Sequence, residues 1–363
     1  MKAAFAGGGS AGHLCPALAV AQRFLRLEED NEVLFFGAQK ALDRRMLEGT
    51  NHKLIAGTGL PYGRSLRTLT SLLKLAQGGL QARAALKVFR PQVVLGTGGY
   101  ISAAALTAAD TLGLPLVIHA SDACPDRTNL RLAAKATCIT VAFEAALEHF
   151  PVDKVIVTGQ PVREEILQAD RETARAELGY GAQDVVLLVT GGSQGARTLN
   201  QATVGALPQL LGAGLKVFHQ TGSLDYQQVK AETDAANWGP GYVCREFIHD
   251  MGSVLAAADL FLMRAGASSL AEAAAWGLPM IVVPGDFAHG HQKVNAEEVE
   301  RRGAAIVVAN SDLTPGRLAE VALELLQRPD RRAAMAAAAR AWGTREAGDK
   351  IARVLTEVGS GTR

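Results

Sequence analysis

Short apolar runs alternate along the whole chain with longer Ala-, Leu-, Glu- and Arg-rich stretches of helical spacing, and this alternation constrains the fold more than any other feature. The runs are Ala3–Ala6, Val33–Phe36, Val93–Leu95, Leu116–Ile118, Cys138–Ala142, Val155–Val157, Val185–Thr190, Leu215–His219, Leu260–Met263 and Met280–Val283. Apolar runs of this length without polar alternation read as strands buried on both faces, and the helical stretches between them read as crossovers of parallel sheets. Two of the runs lead straight into glycine turns, Gly7-Gly8-Gly9 and Gly191-Gly192-Ser193-Gln194-Gly195. Each has the form of the first strand-to-helix turn of a doubly wound sheet. The expected architecture is therefore α/β, with two Rossmann-like parallel-sheet domains of similar size, which suits a chain of 363 residues. The join is expected near Gly159-Gln160-Pro161-Val162-Arg163, where Pro161 disfavours helix at its neighbour. The Ala- and Arg-rich tail from about Arg331 reads as helix, with a loose Gly359-Ser360-Gly361 end.

Composition removes several classes of function. At 48% hydrophobic and 20% charged, the chain is not disordered, and a net charge of +1 gives no reason to expect a nucleic-acid partner. No run of 18 apolar residues is present. The glycine run and His13 interrupt the apolar start, so a signal peptide is not expected. Cys15, Cys124, Cys138 and Cys244 form no C-x-x-C pair or zinc-finger spacing, and read as reduced thiols of a cytosolic protein.

Three glycine-containing turns could carry chemistry. Gly7, Gly9 and Gly12 spell G-x-G-x-x-G. The acidic residue that a dinucleotide fold places after its second strand is missing, because Gly37-Ala38-Gln39 stands there. NAD is thus disfavoured. The turn ends in His13, and a neutral imidazole at a loop mouth suits a general base. The second turn, Gly191–Arg197, offers backbone N–H groups, the Ser193 hydroxyl and a helix start, which together outline an anion site. The third, Arg264-Ala265-Gly266-Ala267-Ser268-Ser269-Leu270-Ala271-Glu272, follows the run Leu260–Met263. An ionised Glu272 only accepts hydrogen bonds, which fits vicinal ribose hydroxyls. Gln292 and Asn295, three apart, would share one face of a helix and could bind sugar hydroxyls.

Taken together and in order, these pieces resemble the peptidoglycan N-acetylglucosaminyltransferases, which have the two-Rossmann glycosyltransferase architecture called GT-B. The resemblance rests on Gly8–His13 with Pro16–Ala21, Val94–Tyr100, Gly159–Arg163, Gly191–Arg197, Phe247–Met251 and Arg264–Asn295. It implies two domains facing across a cleft: residues 1–160 on the acceptor and membrane side, and 161–339 binding UDP-GlcNAc. A C-terminal helix at about 340–363 would pack back on the first. It also implies that the backbone of Ile248 meets uracil and that Glu272 takes the ribose hydroxyls. Ser193, Arg264 and the turn Ala267, Ser268, Ser269, Leu270 and Ala271 would surround the diphosphate. Arg163, Gln292 and Asn295 would place the nucleotide-sugar. Ser10, Ala11 and Gly12 would approach the donor, while His13 faces the reacting centre and Tyr100 and Asn129 contact substrate.

The chain departs from the family at His119-Ala120-Ser121-Asp122, where the family shows His-Glu-Gln-Asn. The implied reaction inverts the sugar: the 4-hydroxyl of the undecaprenyl-diphospho-muramoylpentapeptide (lipid I) attacks C1 as UDP leaves. His13 is expected to take the hydroxyl proton, with Asp122 replacing it or holding its imidazole. No Asp-x-Asp occurs, so neither a metal nor another cofactor is expected. Between Glu48 and Asp110 there is no acidic residue, while Lys53, Arg64, Arg67, Lys74, Arg83, Lys87 and Arg90 lie among Leu66, Leu69, Leu72, Leu73 and Leu75. The span 53–90 is therefore expected to bind an anionic membrane surface, placing the protein peripherally on the cytoplasmic face. Other readings are another GT-B transferase with a lipid acceptor, an isomerase like the UDP-GlcNAc 2-epimerases, and an inactive nucleotide-sugar binder.

Overall fold

The computed structural model describes residues 1–59, 66–286 and 290–363. The chain forms two compact units, Met1–Arg163 with Arg345–Arg363, and Glu164–Thr344.

The first unit holds a seven-stranded sheet. Its strands are β1 (Lys2–Ala6), β2 (Glu32–Ala38), β3 (His52–Ile55), β4 (Val93–Gly96), β5 (Leu116–Ala120), β6 (Cys138–Val141) and β7 (Val155–Val157). They pair in the order β3-β2-β1-β4-β5-β6-β7, all parallel. Side chains alternate between faces along a strand, so β1 sends Ala3 and Phe5 one way and Ala4 and Ala6 the other. Phe5, Phe35 and Leu95 pack with Leu14, Val20 and Phe24 of the helix Ala11–Leu27, and with Ile351, Leu355 and Val358 of the last helix, Ala347–Ser360. Phe36, Val94 and Ile118 meet the helices Gly99–Asp110 and Leu66–Phe89 on the other face. Each large side chain buried in this way stabilises the unit by roughly 1.5–3 kcal/mol. The C-terminal end is not loose: Gly359 lies against Met1 and Val93, and Gly361, at φ 74°, closes the helix.

The second unit repeats the plan with six strands. These are β8 (Val186–Thr190), β9 (Lys216–Gln220), β10 (Tyr242–Arg245), β11 (Leu260–Met263), β12 (Met280–Val282) and β13 (Ala305–Val307). The order is β10-β9-β8-β11-β12-β13, again all parallel. Leu187, Val189 and Val217 pack on Leu199, Leu207 and Leu210 of the helix Arg197–Gly212 and on Leu318, Val321 and Leu325 of Pro315–Gln327.

In both sheets the strand order reverses beside the first strand, between β1 and β4 and between β8 and β11. Such switch points open a crevice at the carboxyl ends of the strands, where ligands of doubly wound folds bind. All three glycine turns picked out above leave the sheets there.

Candidate active site

In the first unit the turn after β1 is held from within. The Gly7 N–H donates to Phe36 O at 3.3 Å, and the Gly9 N–H donates to the Asp43 carboxylate at 2.9 Å. Asp43 is fully buried and also accepts the Ala38 N–H at 2.7 Å. Charge-assisted bonds of this kind offset the cost of burying a carboxylate. The turn therefore does not offer the amides of Gly7 and Gly9 to a phosphate, contrary to what a cradle requires. Lys40 Nζ donates to Gly9 O at 2.9 Å and stands over the Tyr100 ring, 5.8 Å from its centroid. Burial, and then the charge of Asp43, raise the pKa of the Tyr100 phenol.

His13 lies in the first turn of the helix Ala11–Leu27. Ser10 is the N-cap, yet its hydroxyl makes no capping bond and meets His13 Nδ1 at 3.1 Å instead. The imidazole lies against the turn after β4: a Cβ on Gly99, whose φ is 75°, would sit 2.9 Å from His13 Nδ1. His13 Nε2 is 3.9 Å from Asp126 Oδ2. The carboxylate at ion-pair distance is thus Asp126, and not Asp122, which lies half-buried in the segment after β5. Asp126 caps the helix Arg127–Leu132, accepting the Asn129 N–H at 2.8 Å, and its Oδ2 accepts the Gly99 N–H at 2.7 Å.

Around these groups lies a second, buried layer. His119 is fully buried, with Nδ1 2.9 Å from Thr140 Oγ1 and Nε2 2.9 Å from Gln160 Oε1. Burial pushes its pKa down to about 4. Asn129 Nδ2 donates to His119 O at 3.4 Å, while Asn129 Oδ1 is buried with no partner among the described residues.

In the second unit the turn after β8 presses onto the end of β9. A Cβ on Gly195, at φ 86°, would lie 2.0 Å from Thr221 O, so only glycine fits. Gln220, 2% exposed, ties this turn to its neighbour: Nε2 donates to Gly192 O and Oε1 accepts the Ile248 N–H, both at 3.0 Å. The Ile248 N–H is thereby spent within the fold. Ser193 is exposed on the turn.

The turn after β11 is also built on buried ties. Asn295 is fully buried and Nδ2 donates to Ala265 O at 3.1 Å, so this side chain supports the turn from within the core. Arg264 Nη1 donates to Val283 O at 3.2 Å and Asn310 Oδ1 at 2.8 Å, while Nε is buried with no partner among the described residues. Burial lowers the guanidinium pKa, Asp286 opposes that, and an arginine stays charged regardless. Gln292 Oε1 accepts the Gly285 N–H at 2.8 Å. The helix Ala267–Trp276 starts here, and its first-turn N–H groups have no intrahelical acceptor. Ala267, Ser268 and Ser269 belong to that turn. Leu270 does not present itself in the same way: its N–H donates to Gly266 O at 3.0 Å and its side chain is core, as is that of Ala271. Glu272 is half-buried one turn further on.

The switch point of the second unit thus gathers Ser193, Ile248, Arg264, Ala267, Ser268, Ser269 and Glu272, with Gln292 and Asn295 behind them. The switch point of the first gathers Ser10, Ala11, Gly12, His13, Tyr100 and Asn129. Arg163 is the final residue of the first unit's main segment. Sequence reasoning missed Asp43, Asp126 and Gln220. Of these, Asp126 carried a capping signal and Gln220 a polar residue at the end of an apolar run.

Residues 3–141 match the glycosyltransferase family 28 N-terminal domain, and residues 186–352 match its C-terminal domain. A UDP-N-acetylglucosamine–N-acetylmuramyl-(pentapeptide) pyrophosphoryl-undecaprenol N-acetylglucosamine transferase from Desulforudis audaxviator is 37% identical, covering 100% of both chains. The transferase of the same name from Geobacter sulfurreducens is 40% identical over 93% of each. Among solved structures, Acinetobacter baumannii MurG aligns with a TM-score of 0.74 at 26% identity, covering 98% of this chain and 99% of that one.

Proposed function

The chain belongs to glycosyltransferase family 28, among the UDP-N-acetylglucosamine–N-acetylmuramyl-(pentapeptide) pyrophosphoryl-undecaprenol N-acetylglucosamine transferases, and on that premise we infer that it transfers GlcNAc from UDP-GlcNAc to lipid I in peptidoglycan synthesis. The observation that carries this reading is the full-length identity of 37% to a relative named for that reaction. UDP release that depends on added lipid I tests it. Release without acceptor would point to the isomerase reading instead.

The second unit takes the donor. The turns after β8 and β11 supply N–H groups, the Ser193 hydroxyl and the Arg264 charge to the diphosphate, and these stabilise the negative charge that grows on departing UDP. Glu272 accepts from the ribose, and Ile248 meets uracil through its carbonyl. Gln292 and Asn295 hold the turns that do this. The first unit supplies the base. The acceptor 4-hydroxyl attacks C1 of GlcNAc, the C1–O bond to UDP breaks, and the hydroxyl proton passes to His13. A positioned base of this kind contributes roughly 10²–10⁴-fold. Ser10, Ala11, Gly12, Tyr100, Asp122, Asn129 and Arg163 complete the substrate contacts proposed for this reaction.

The lipid acceptor requires the protein to work at a membrane. Among the described residues no helix is long and apolar enough to cross one. Peripheral docking is supported by the helix Leu66–Phe89, on which Leu69, Leu73 and Leu80 are 57%, 63% and 71% exposed. Arg83 and Lys87 fall on the same face by helical spacing, and Lys74 is exposed further round the helix. Apolar side chains among basic ones suit the anionic cytoplasmic leaflet. Arg64 lies outside the described residues.

A further inference from the structure

We propose that Asp126 is the positioning residue of His13, and that it makes Nδ1 the nitrogen that accepts the proton. This rests on the reading of His13 as the base. Asp126 is 113 positions from His13 in sequence, yet its Oδ2 stands 3.9 Å from His13 Nε2. The carboxylate is not adrift there. One oxygen accepts the Asn129 N–H as a helix cap, and the other accepts the Gly99 N–H. The backbone thus fixes both oxygens before the histidine is considered. Gly98 and Gly99, with φ of 99° and 75°, bring that carboxylate and the imidazole onto the same stretch of backbone: a Cβ on Gly98 would lie 2.7 Å from Asp126 Oδ2 and 3.1 Å from His13 Cδ2.

Ser10, at an N-cap, would ordinarily turn its hydroxyl to the helix N–H groups. It turns to His13 Nδ1 instead. At 3.9 Å the carboxylate makes an ion-pair contact and not a hydrogen bond, and because it can only accept, its charge favours the tautomer that carries the proton on the nitrogen facing it. Nε2–H toward Asp126 then leaves the Nδ1 lone pair toward Ser10 and the substrate hydroxyl. When the proton arrives at Nδ1 the ring becomes a cation, and the fixed negative charge of Asp126 stabilises it. The same division of labour, a buried carboxylate setting the tautomer of a histidine base, operates in serine proteases. Ala120 ends β5 without a carboxylate, and Asp126 is the acid that the segment after β5 delivers to the histidine.

The test uses the full-length protein, UDP-GlcNAc and lipid I, with Asp126→Asn, Asp126→Ser and His13→Ala beside the wild type. Asn and Ser both cap helices, so both keep the Arg127–Leu132 turn while removing the negative charge. The expected result is a kcat lowered by about 10²-fold in both variants, with KM for UDP-GlcNAc within about twofold of wild type. ¹⁵N NMR of the neutral imidazole should report Nε2–H in the wild type. In Asp126→Ser, which takes the carboxylate away from Nε2, that preference should be lost. A purely structural cap would instead be rescued by Asp126→Ser, with normal kcat, and that result overturns the proposal, as does an unchanged tautomer in Asp126→Ser. Loss of activity in His13→Ala with normal kcat in both Asp126 variants leaves the base reading intact and rejects the role of Asp126. Normal kcat in His13→Ala rejects the base reading itself.

Discussion

Gln220 and Ile248 are joined by a 3.0 Å bond from the Ile248 N–H to Gln220 Oε1, and the same carboxamide reaches Gly192 O at 3.0 Å. One buried side chain therefore sets the spacing between the proposed diphosphate turn and the proposed uracil contact. Gln220→Leu removes both bonds and leaves a buried N–H and carbonyl unsatisfied, at a cost of about 1–3 kcal/mol. The expected outcome is a KM for UDP-GlcNAc raised roughly tenfold, with kcat changed much less. Steady-state kinetics at saturating lipid I check this. An unchanged KM would mean that the tie does not bear on the donor.

Gly99 stands between His13 and Asp126. Gly99→Ala places a methyl group 2.9 Å from His13 Nδ1, at a φ of 75° that favours glycine. The imidazole must swing away, and a displacement of about 1 Å can lower a rate by roughly 10²-fold. The expected variant binds UDP with normal affinity by calorimetry and turns over slowly. A variant with normal kcat would show that the packing of His13 on this turn is irrelevant to the chemistry.

The framework was legible in the sequence, and the reasons for the gaps are physical. The strands not foreseen are β3, β10 and β13, and all three are edge strands. His52–Ile55 and Tyr242–Arg245 are only partly buried and carry polar residues, whereas Ala305–Val307 lies within a continuous apolar run, Ala304–Ala309, and was legible in the sequence. The central strands β1, β4, β8 and β11 are buried on both faces and stood out. The glycine turns and His13 were legible because they follow a strand directly. Asp43, Asp126 and Gln220 were not, because each reaches its partner across the sheet or from a distant loop. The helical spacing of Asn295 and Gln292 points to a sugar contact. The complete burial of Asn295 under Ala265 is a property of packing that spacing does not encode.

Stability should fall with acid in both units. Burial lowers the pKa of His119 to about 4 and that of His219 to about 3, against 6.5 for a free imidazole. Between these values the unfolded chain binds protons that the folded chain refuses, so stability rises with pH. It is fully present above pH 6.5 and is lost as pH falls toward 4 in the first unit and toward 3 in the second. Thermal unfolding from pH 7.5 to 4.5 should show a steady decline in Tm. A flat profile would mean that neither histidine is held neutral by its site.

Vesicle binding should depend on the face of the helix Leu66–Phe89 that carries Leu73 and Leu80. The double variant Leu73→Glu, Leu80→Glu removes apolar contact and adds repulsion from anionic lipid. Co-sedimentation with phosphatidylglycerol vesicles at low salt should fall at least tenfold, and wild-type binding should weaken as salt screens the charges. The soluble readout of UDP binding should be unaffected. Equal sedimentation of both proteins would place membrane contact elsewhere.

This chain joins GlcNAc to a lipid-linked muramoylpentapeptide, and the identity of the product is the sharpest check on that activity. Wild-type protein is incubated with radiolabelled UDP-GlcNAc and lipid I, with and without EDTA, and the lipid fraction is analysed by mass spectrometry and NMR. The expected outcome is one equivalent of UDP for each lipid-linked disaccharide, a β-linkage to the muramic acid 4-hydroxyl, and the same yield in EDTA. Label that stays in the aqueous phase as free or epimerised sugar, with lipid I unchanged, would contradict it.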